Sequence, residues 1–301
     1  MSAGETARTA LVVGADSAFG GTLSQQLRAQ RWRVIETTRR PKRAVDERRL
    51  LDLAADDLPR ALDAILDEPV HVAFVCAGVT SMAECERDPR GTARINVEAV
   101  EAVSRELLAR GAFVIFLSTD RVFDGSRPFA KPEDPVMPPN EYGRQKAEAE
   151  RRLQAAGDGV GIFRFSKVLG HWNAVFDSWI HAWQRSEPAR PFSDMVMSPV
   201  AIADACAAQV ELAERRLPGI YHVSGARDIS YAEAARIGAE VLGVDPGLVQ
   251  PVVAAFAGMQ PEHLVQNTTL DCGITTERLG FVPPDPGTVL NEYFRTNQGE
   301  A

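Results

Sequence analysis

The chain has 301 residues, which at about 150 per domain sets an expectation of two domains, or one α/β unit with an elaborated second lobe. Hydrophobic residues at 45% and charged residues at 25% match an ordinary soluble protein, and 33 Lys and Arg against 41 Asp and Glu leave a net charge of −8. That balance argues against phosphate-backbone binding, and no run approaches the ~18 apolar residues of a membrane span. Residues 1–9 carry Glu5 and Arg8 and no apolar signal core, so a cytoplasmic protein without nucleic-acid or membrane partners is expected. Cys76, Cys85, Cys206 and Cys272 show no CxxC spacing, which reads as reduced thiols, and the five histidines show no metal-ligand spacing, so no metal is assigned.

In chain order, Thr9-Ala-Leu-Val-Val-Gly14 reads as a short buried strand ending in a glycine turn, followed by a helix with Phe19, Leu23 and Leu27 on one face. Strands are expected at 32–37, 50–53 and 70–77, with a helix at 58–66 between the last two. A helix over 93–110 follows from the spacing of Val97, Val100, Val103 and Leu107, and 112–117 is another buried strand. Continuous apolar strands alternating with amphipathic helices mean a parallel sheet covered on both faces. Residues 127–140 hold five prolines and must be an irregular loop; a helix follows over 140–156 and a strand over 160–165. The pattern then loosens around Trp172, Trp179 and Trp183. Helices over 201–212 and 231–242 flank a strand at 219–223, and a last short helix follows the proline-rich 283–286.

The turn Gly14-Ala-Asp-Ser17-Ala-Phe-Gly20 lies between the first strand and helix, where an open α/β sheet binds a dinucleotide at backbone N–H groups and the positive end of a helix. A plain strand-to-helix turn is the alternative. At the end of the second strand Arg39 and Arg40 suit a 2′-phosphate, since guanidinium grips phosphate in a bidentate fork. NADP(H) is therefore favoured, while Glu36 keeps NAD(H) open, and solvated surface charges are the bland alternative. Asp52 is placed either to meet the adenine side or to cap a helix.

Tyr142 and Lys146 stand four apart at the start of a helix and share a face. The chain has only four Tyr and four Lys, so an accidental Tyr-x-x-x-Lys is expected about 0.05 times. A phenol of pKa about 10 needs a neighbouring cation to exchange protons near neutrality, and a lysine one turn away supplies it. Ser118-Thr119-Asp120 follows a buried strand, where a hydroxyl can donate to a substrate oxygen that gains charge; a turn cap is the alternative.

Gly14-x-x-Ser17-x-x-Gly20, Cys76-Ala77-Gly78, Ile95-Asn96-Val97, Ser118-Thr-Asp-Arg-Val-Phe-Asp-Gly125 and Tyr142-Gly-Arg-Gln-Lys146 resemble an extended short-chain dehydrogenase/reductase. More narrowly, the chain resembles the dTDP-4-dehydrorhamnose reductase family of sugar-nucleotide ketoreductases, over about 9–294. Ser198-Pro-Val200 with Asp204, Gly219-Ile-Tyr-His-Val-Ser-Gly225 and Asn267-Thr-Thr-Leu-Asp271 agree. The resemblance implies an α/β fold: a Rossmann-like doubly wound parallel sheet with a smaller C-terminal α/β substrate lobe. The dinucleotide-binding domain would span 8–168, completed by about 200–225, and the substrate lobe 169–199 and 226–296. Thr119, Tyr142 and Lys146 would be catalytic. Cofactor contacts would come from Gly14, Ser17, Ala18, Phe19, Gly20, Thr38, Arg39, Arg40, Asp52, Leu53, Cys76, Ala77, Gly78, Tyr142 and Lys146. Substrate contacts would come from Val79, Thr80, Asp120, Arg121, Val122, Phe123, Lys167 and Ser198. Asn96 would tie its helix to the sheet.

The implied reaction is NADP(H)-dependent reduction of a keto group, at C4, on a dTDP- or UDP-linked deoxysugar, with a homodimer as one arrangement. Three departures bear on it. Ser17 replaces a glycine, which the turn tolerates if φ is negative. Arg121 and Lys167 stand where the family has tyrosine and tryptophan, so the sugar could differ, with a carboxylate or diphosphate on these cations; a surface or structural role is the alternative. Other readings are an epimerase, a dehydratase, for which Arg121 stands in place of a needed glutamate, and a non-catalytic NADP-binding regulatory subunit.

Overall fold

The computed structural model describes residues 8–45, 48–170, 173–254 and 264–297. Its framework is a seven-stranded sheet in the order β10-β6-β5-β4-β1-β2-β3: β1 Thr9–Val13, β2 Arg33–Thr38, β3 Arg48–Leu50, β4 Val72–Val75, β5 Phe113–Thr119, β6 Val160–Phe165 and β10 Gly219–Val223. The pairings from β3 through β5 are all parallel, with Leu11 facing Ile35 on one side and Ala73 on the other. Every residue of β1 and β4 is buried, as befits strands covered on both faces. Because the chain runs outward from β1 to β2 and β3, then returns to β4 on β1's other side, the order reverses at β1. Open sheets bind their ligands beyond the carboxyl ends of strands at such a point.

Helices α1 Ala18–Ala29, α2 Leu58–Asp63, α3 Met82–Arg87, α4 Pro89–Ala93, α5 Val100–Ala109 and α6 Glu141–Gln154 accompany these strands. The helix expected over 93–110 starts earlier, at Pro89 behind the Asp88 cap, and widens to π geometry over Arg94–Ala99 before α5. The strand expected at 50–53 is displaced to β3. Leu51 and Leu53 are buried there for packing, while Asp52 caps a turn by accepting from Ala54 N at 3.0 Å.

Beyond β6 come β7 Lys167–Leu169, α7 Ala174–Gln184, β8 Val196–Met197, β9 Pro199–Ala201, α8 Ile202–Arg215, β11 Ile229–Ser230, α9 Tyr231–Leu242, α10 Gly273–Leu279 and α11 Pro286–Thr296. Two two-stranded pairings, β7 with β9 and β11 with β8, supplement the main sheet. Helix α7, unread in the sequence, buries Phe176, Trp179, Ile180 and Trp183 behind an Asn173 cap; Trp172 lies outside the described residues. Phe176 meets Tyr293 edge-on at 5.3 Å and Phe294 at 5.5 Å between ring centroids, in an aromatic core of its own.

The chain divides into two compact, interleaved units: residues 1–119, 140–164 and 206–221, and residues 120–139, 165–205 and 222–301. The proline-rich loop 120–139 groups with the second unit and not with the dinucleotide region. Its backbone is hydrogen-bonded to a later segment: Asn267 N donates to Gly125 O, Phe129 N to Thr269 O and Asp271 N to Ala130 O, at 2.9–3.1 Å. Among the described residues no helix is long and apolar enough to cross a membrane.

Candidate active site

The turn after β1 is built by close backbone approach. Gly14 has φ +92°, and a Cβ there would lie 2.9 Å from Ala77; a Cβ on Gly20 would lie 2.6 Å from Gly14 O. Ser17 caps α1 at φ −75°, a conformation open to any residue, and its hydroxyl accepts from Gly20 N at 3.0 Å and donates to Gly14 O at 2.9 Å. Serine in place of glycine is therefore accommodated and adds a cap. The turn is also tied to β2, since Gly14 N donates to Thr37 Oγ1 at 3.0 Å.

Beside this turn a cleft of about 420 Å³ opens at the carboxyl ends of β1, β2 and β4. It gathers Gly14, Ser17, Arg39, Arg40, Asp52, Leu53, Cys76, Ala77 and Gly78 of the expected cofactor set. Val79 and Thr80, expected at a substrate, line the same cleft. Asn96 holds that wall: its Oδ1 accepts from Val79 N at 2.7 Å, and its Nδ2 donates to Val79 O at 2.9 Å and to Gln145 Oε1 on α6 at 2.8 Å. The π turn that carries Asn96 thus fixes the loop after β4 and also meets α6. Burial pushes the Cys76 thiol up to about 12, so it stays protonated at neutral pH.

Two residues at the β2 end differ from expectation. Thr38 is buried and does not line the cleft; its hydroxyl donates to Asp16 Oδ2 at 2.5 Å and accepts from Arg40 N at 3.0 Å. Glu36 does not face a ribose either, because it is buried mid-strand between Arg28 Nη1 at 2.8 Å and Arg48 Nε at 2.7 Å. Burial opposes its ionisation, but the two guanidiniums outweigh that and hold the carboxyl below its usual range. Arg39 and Arg40 are exposed and make no ion pair among the described residues. Asp16 also lines the cleft, and sequence reasoning missed it. Burial works against its charge, yet the Thr38 hydroxyl, Arg43 and Arg48 lower its pKa overall. Its signal lies in partners 27 and 32 residues downstream, beyond the reach of local spacing.

Thr119 ends β5, buried, and α6 packs against that strand. Asn140 caps α6 by accepting from Gly143 N at 2.9 Å, which fixes where the helix starts and so places Tyr142, half-buried, and Lys146, buried, on one face. Lys146 Nζ donates to Leu117 O at 2.6 Å and sits 4.4 Å over the Phe116 ring. Burial pushes its pKa down to about 8, and Glu150, one turn along, opposes the shift. Glu150 in turn is gripped by Arg164 of β6, with Nη2 to Oε2 at 2.7 Å and both side chains 3% exposed, and Ser118 Oγ donates to its Oε1. A buried ion pair thus fastens the residue beside Thr119 to the helix that carries Tyr142 and Lys146.

The remaining expected substrate residues lie in the second unit. Val122 is fully buried, its carbonyl taken by Met137 N, so it serves packing, whereas Phe123 packs edge-on to His222 at 5.8 Å and lines a cleft with Asp124 and Arg127. Ser198 is likewise fully buried, its hydroxyl bonded to Gly225 O at 3.0 Å and Arg227 O at 3.1 Å. Asp120 and Arg121 are close, Nε to Oδ1 at 3.9 Å, and both act electrostatically on Lys167, which is half-buried on β7.

A family model described as the RmlD substrate binding domain matches residues 8–298. The chain is 27% identical over 287 residues to methionine adenosyltransferase 2 subunit beta of Xenopus tropicalis, covering 91% of this chain and 83% of that protein. It is 26% identical over 254 residues to the spore coat polysaccharide biosynthesis protein SpsK of Bacillus subtilis, covering 83% of this chain and 85% of that one. Among solved structures, dTDP-4-dehydrorhamnose reductase from Bacillus anthracis in complex with NADP superposes with a TM-score of 0.84 at 22% identity, covering 97% of this chain and 99% of that chain. At that identity the likeness is one of fold.

Proposed function

The chain belongs to the RmlD substrate-binding-domain family, within the extended short-chain dehydrogenases/reductases, and from that premise we propose that it reduces a keto group on a nucleotide-linked deoxysugar with NADP(H). The position proposed for the keto group is C4, and the nucleotide is dTDP or UDP. The observation that carries this reading is the set of Thr119, Tyr142 and Lys146 held by β5 and α6, with the ammonium of Lys146 anchored on Leu117 O.

The cleft fits the cofactor: the glycine turn and the start of α1 suit a pyrophosphate, and Arg39 and Arg40, which make no ion pair among the described residues, suit a 2′-phosphate. Bound there, the nicotinamide would supply hydride. The chain's own residues manage the proton and the charge. Tyr142 donates its phenolic proton to the carbonyl oxygen as charge gathers on it, and Thr119 donates a hydrogen bond to the same oxygen. Lys146 stays largely protonated at neutral pH, and its charge lowers the cost of removing the Tyr142 proton.

A second reading, a regulatory subunit that binds NADP without turnover, is favoured by the similarity to methionine adenosyltransferase 2 subunit beta. NADPH oxidation across a panel of nucleotide-linked 4-keto sugars, wild type against Tyr142→Phe, decides between them. The reductase reading expects turnover on at least one sugar and loss of about 10²–10⁴-fold in the variant. Equal rates in the two proteins would remove Tyr142 from catalysis. NADPH binding with turnover on no sugar would leave the regulatory reading.

A further inference from the structure

Gln145 stands on α6 between Tyr142 and Lys146, only 3% exposed, and the reduction gives it no direct task. Its Oε1 accepts from Asn96 Nδ2 at 2.8 Å. Its Nε2 donates to Thr92 Oγ1 at 2.9 Å and lies 3.1 Å from both Pro89 O and Glu141 Oε1. One buried amide on α6 thus bonds to α4 and to the π turn that follows it.

The direction of each bond follows from its neighbour. A backbone N–H only donates, so Asn96 turns Oδ1 to Val79 N, at 2.7 Å, and Nδ2 to Gln145. Gln145 answers with its oxygen, which leaves its NH₂ for Pro89 O and Thr92 Oγ1. Thr92 accepts there, because its own proton goes to Asp88 O at 2.7 Å. A single orientation therefore runs from the backbone of Val79 to that of Pro89, through side chains of Asn96, Gln145 and Thr92 that are all buried. Gly78 lets the first link close, since a Cβ there would lie 3.0 Å from Asn96 Oδ1. A buried network with every member bonded is rigid. Val79 lines the cofactor cleft, and Gln145 shares its helix with Tyr142 and Lys146, all within one compact unit. Hydride and proton must reach one carbonyl together, and a displacement of about 1 Å can cost about 10²-fold in rate.

We propose that Gln145 is a positioning residue for the reduction: through Asn96 it holds the cleft wall at Val79 in register with the helix that carries Tyr142 and Lys146. The inference rests on the reductase reading above and adds a residue to it.

Gln145→Leu tests it by keeping bulk and helix preference while removing both ends of the amide. On a sugar that the wild type turns over, kcat is expected to fall about 10–10²-fold, with KM and NADP⁺ affinity near wild type. The primary isotope effect from 4-deuterated NADPH should rise as hydride transfer becomes the slow step. Gln145→Glu is the conservative variant. Protonated, it reproduces the amide, accepting from Asn96 and donating to Thr92 or Pro89 O; ionised, it sets a charge against Pro89 O, Thr92 Oγ1 and the Glu141 carboxylate. Its kcat should approach wild type near about pH 6 and fall toward that of Gln145→Leu as the carboxyl ionises, since burial and Glu141 both raise its pKa. Independently of turnover, amide exchange at Val79 should quicken in Gln145→Leu by more than exchange across β5. Wild-type kcat in Gln145→Leu, or exchange quickened equally at Val79 and β5, would make Gln145 a packing residue and overturn the proposal while leaving the reductase reading standing. Absence of turnover by the wild type on every sugar would overturn the reductase reading beneath it.

Discussion

Lys146 is buried in one compact unit and Lys167 half-buried in the other, and the structure surrounds them differently. Lys146 has a carbonyl at 2.6 Å, an aromatic face at 4.4 Å and the carboxylate of Glu150 one turn away, itself locked by Arg164. Lys167 has a neighbouring cation, a carboxylate it shares with that cation, and no hydrogen bond among the described residues. The first ammonium is held ready before any ligand arrives. A preorganised charge acts on the barrier, so the two lysines should separate in kcat.

The largest effect should come from exchanging the two. Lys146→Met is expected to lower kcat about 10²–10⁴-fold on whichever sugar is turned over, the range for groups that take part in proton transfer. Lys167→Met, in the second unit and outside the proposed catalytic set, should instead leave kcat nearly level. Steady-state kinetics on both variants checks this, and a matching fall in kcat for both would erase the distinction.

Next in size is the support behind Lys146. Glu150→Gln leaves Arg164 buried without its counter-charge, which costs about 3–5 kcal/mol of stability by denaturant unfolding. It also removes the carboxylate that favours the ammonium, so the pH at which activity falls on the alkaline side should move down from near 8. Cys76 and Cys85, the other groups acting on Lys146, have thiols raised by burial and stay neutral there. The double variant Glu150→Gln with Arg164→Leu should regain stability without regaining the pH profile. Recovery of both together would mean that Glu150 merely packs.

A smaller effect is expected at the β2 end. With Glu36 occupied by Arg28 and Arg48, the choice between cofactors falls to Arg39 and Arg40. Arg39→Ala and Arg40→Ala should each cut the preference for NADPH over NADH about ten-fold, as loss of a charge-assisted contact to phosphate predicts. Fluorescence titration with both cofactors measures it, and parallel losses for NADPH and NADH would take the 2′-phosphate away from these arginines.

These contrasts also show what a sequence can carry. Tyr142, Lys146 and the glycine turn are legible because one helix and one tight turn fix their geometry locally. Local pattern also finds β1, β4, β5 and α6. It fails where the partner is distant: Glu36 looks like an exposed charge at a strand end until Arg28 and Arg48 close over it, and Ser198 looks available until Gly225 and Arg227 claim its hydroxyl. Helix α7 shows the apolar spacing of Phe176, Trp179, Ile180 and Trp183, but nearby prolines and clustered tryptophans mask it. The placement of 120–139 with the second unit depends on hydrogen bonds to 267–271, more than 130 residues away, and no local pattern encodes them.

The last effect bears on the cost of holding Lys146 ready. Its folded pKa, about 8, lies below the ordinary 10.5, so burial penalises the charged form and the folded state releases its proton first. Below pH 8 both folded and unfolded chains keep the proton and the penalty is fully present. Between 8 and 10.5 the unfolded chain binds more protons, so stability should rise with pH, by at most about 1.4 kcal/mol per pH unit from this group. Above 10.5 the penalty is gone. Denaturant unfolding at pH 8, 9 and 10 should therefore show wild type gaining on Lys146→Met across that window, because the methionine has no proton to lose. Lys167→Met provides the matching control, since that lysine too is held below its ordinary value, chiefly by burial. Parallel stability curves for wild type and Lys146→Met would mean that the carbonyl of Leu117, the ring of Phe116 and Glu150 together repay the burial in full, and that the ammonium is held at no cost to the fold.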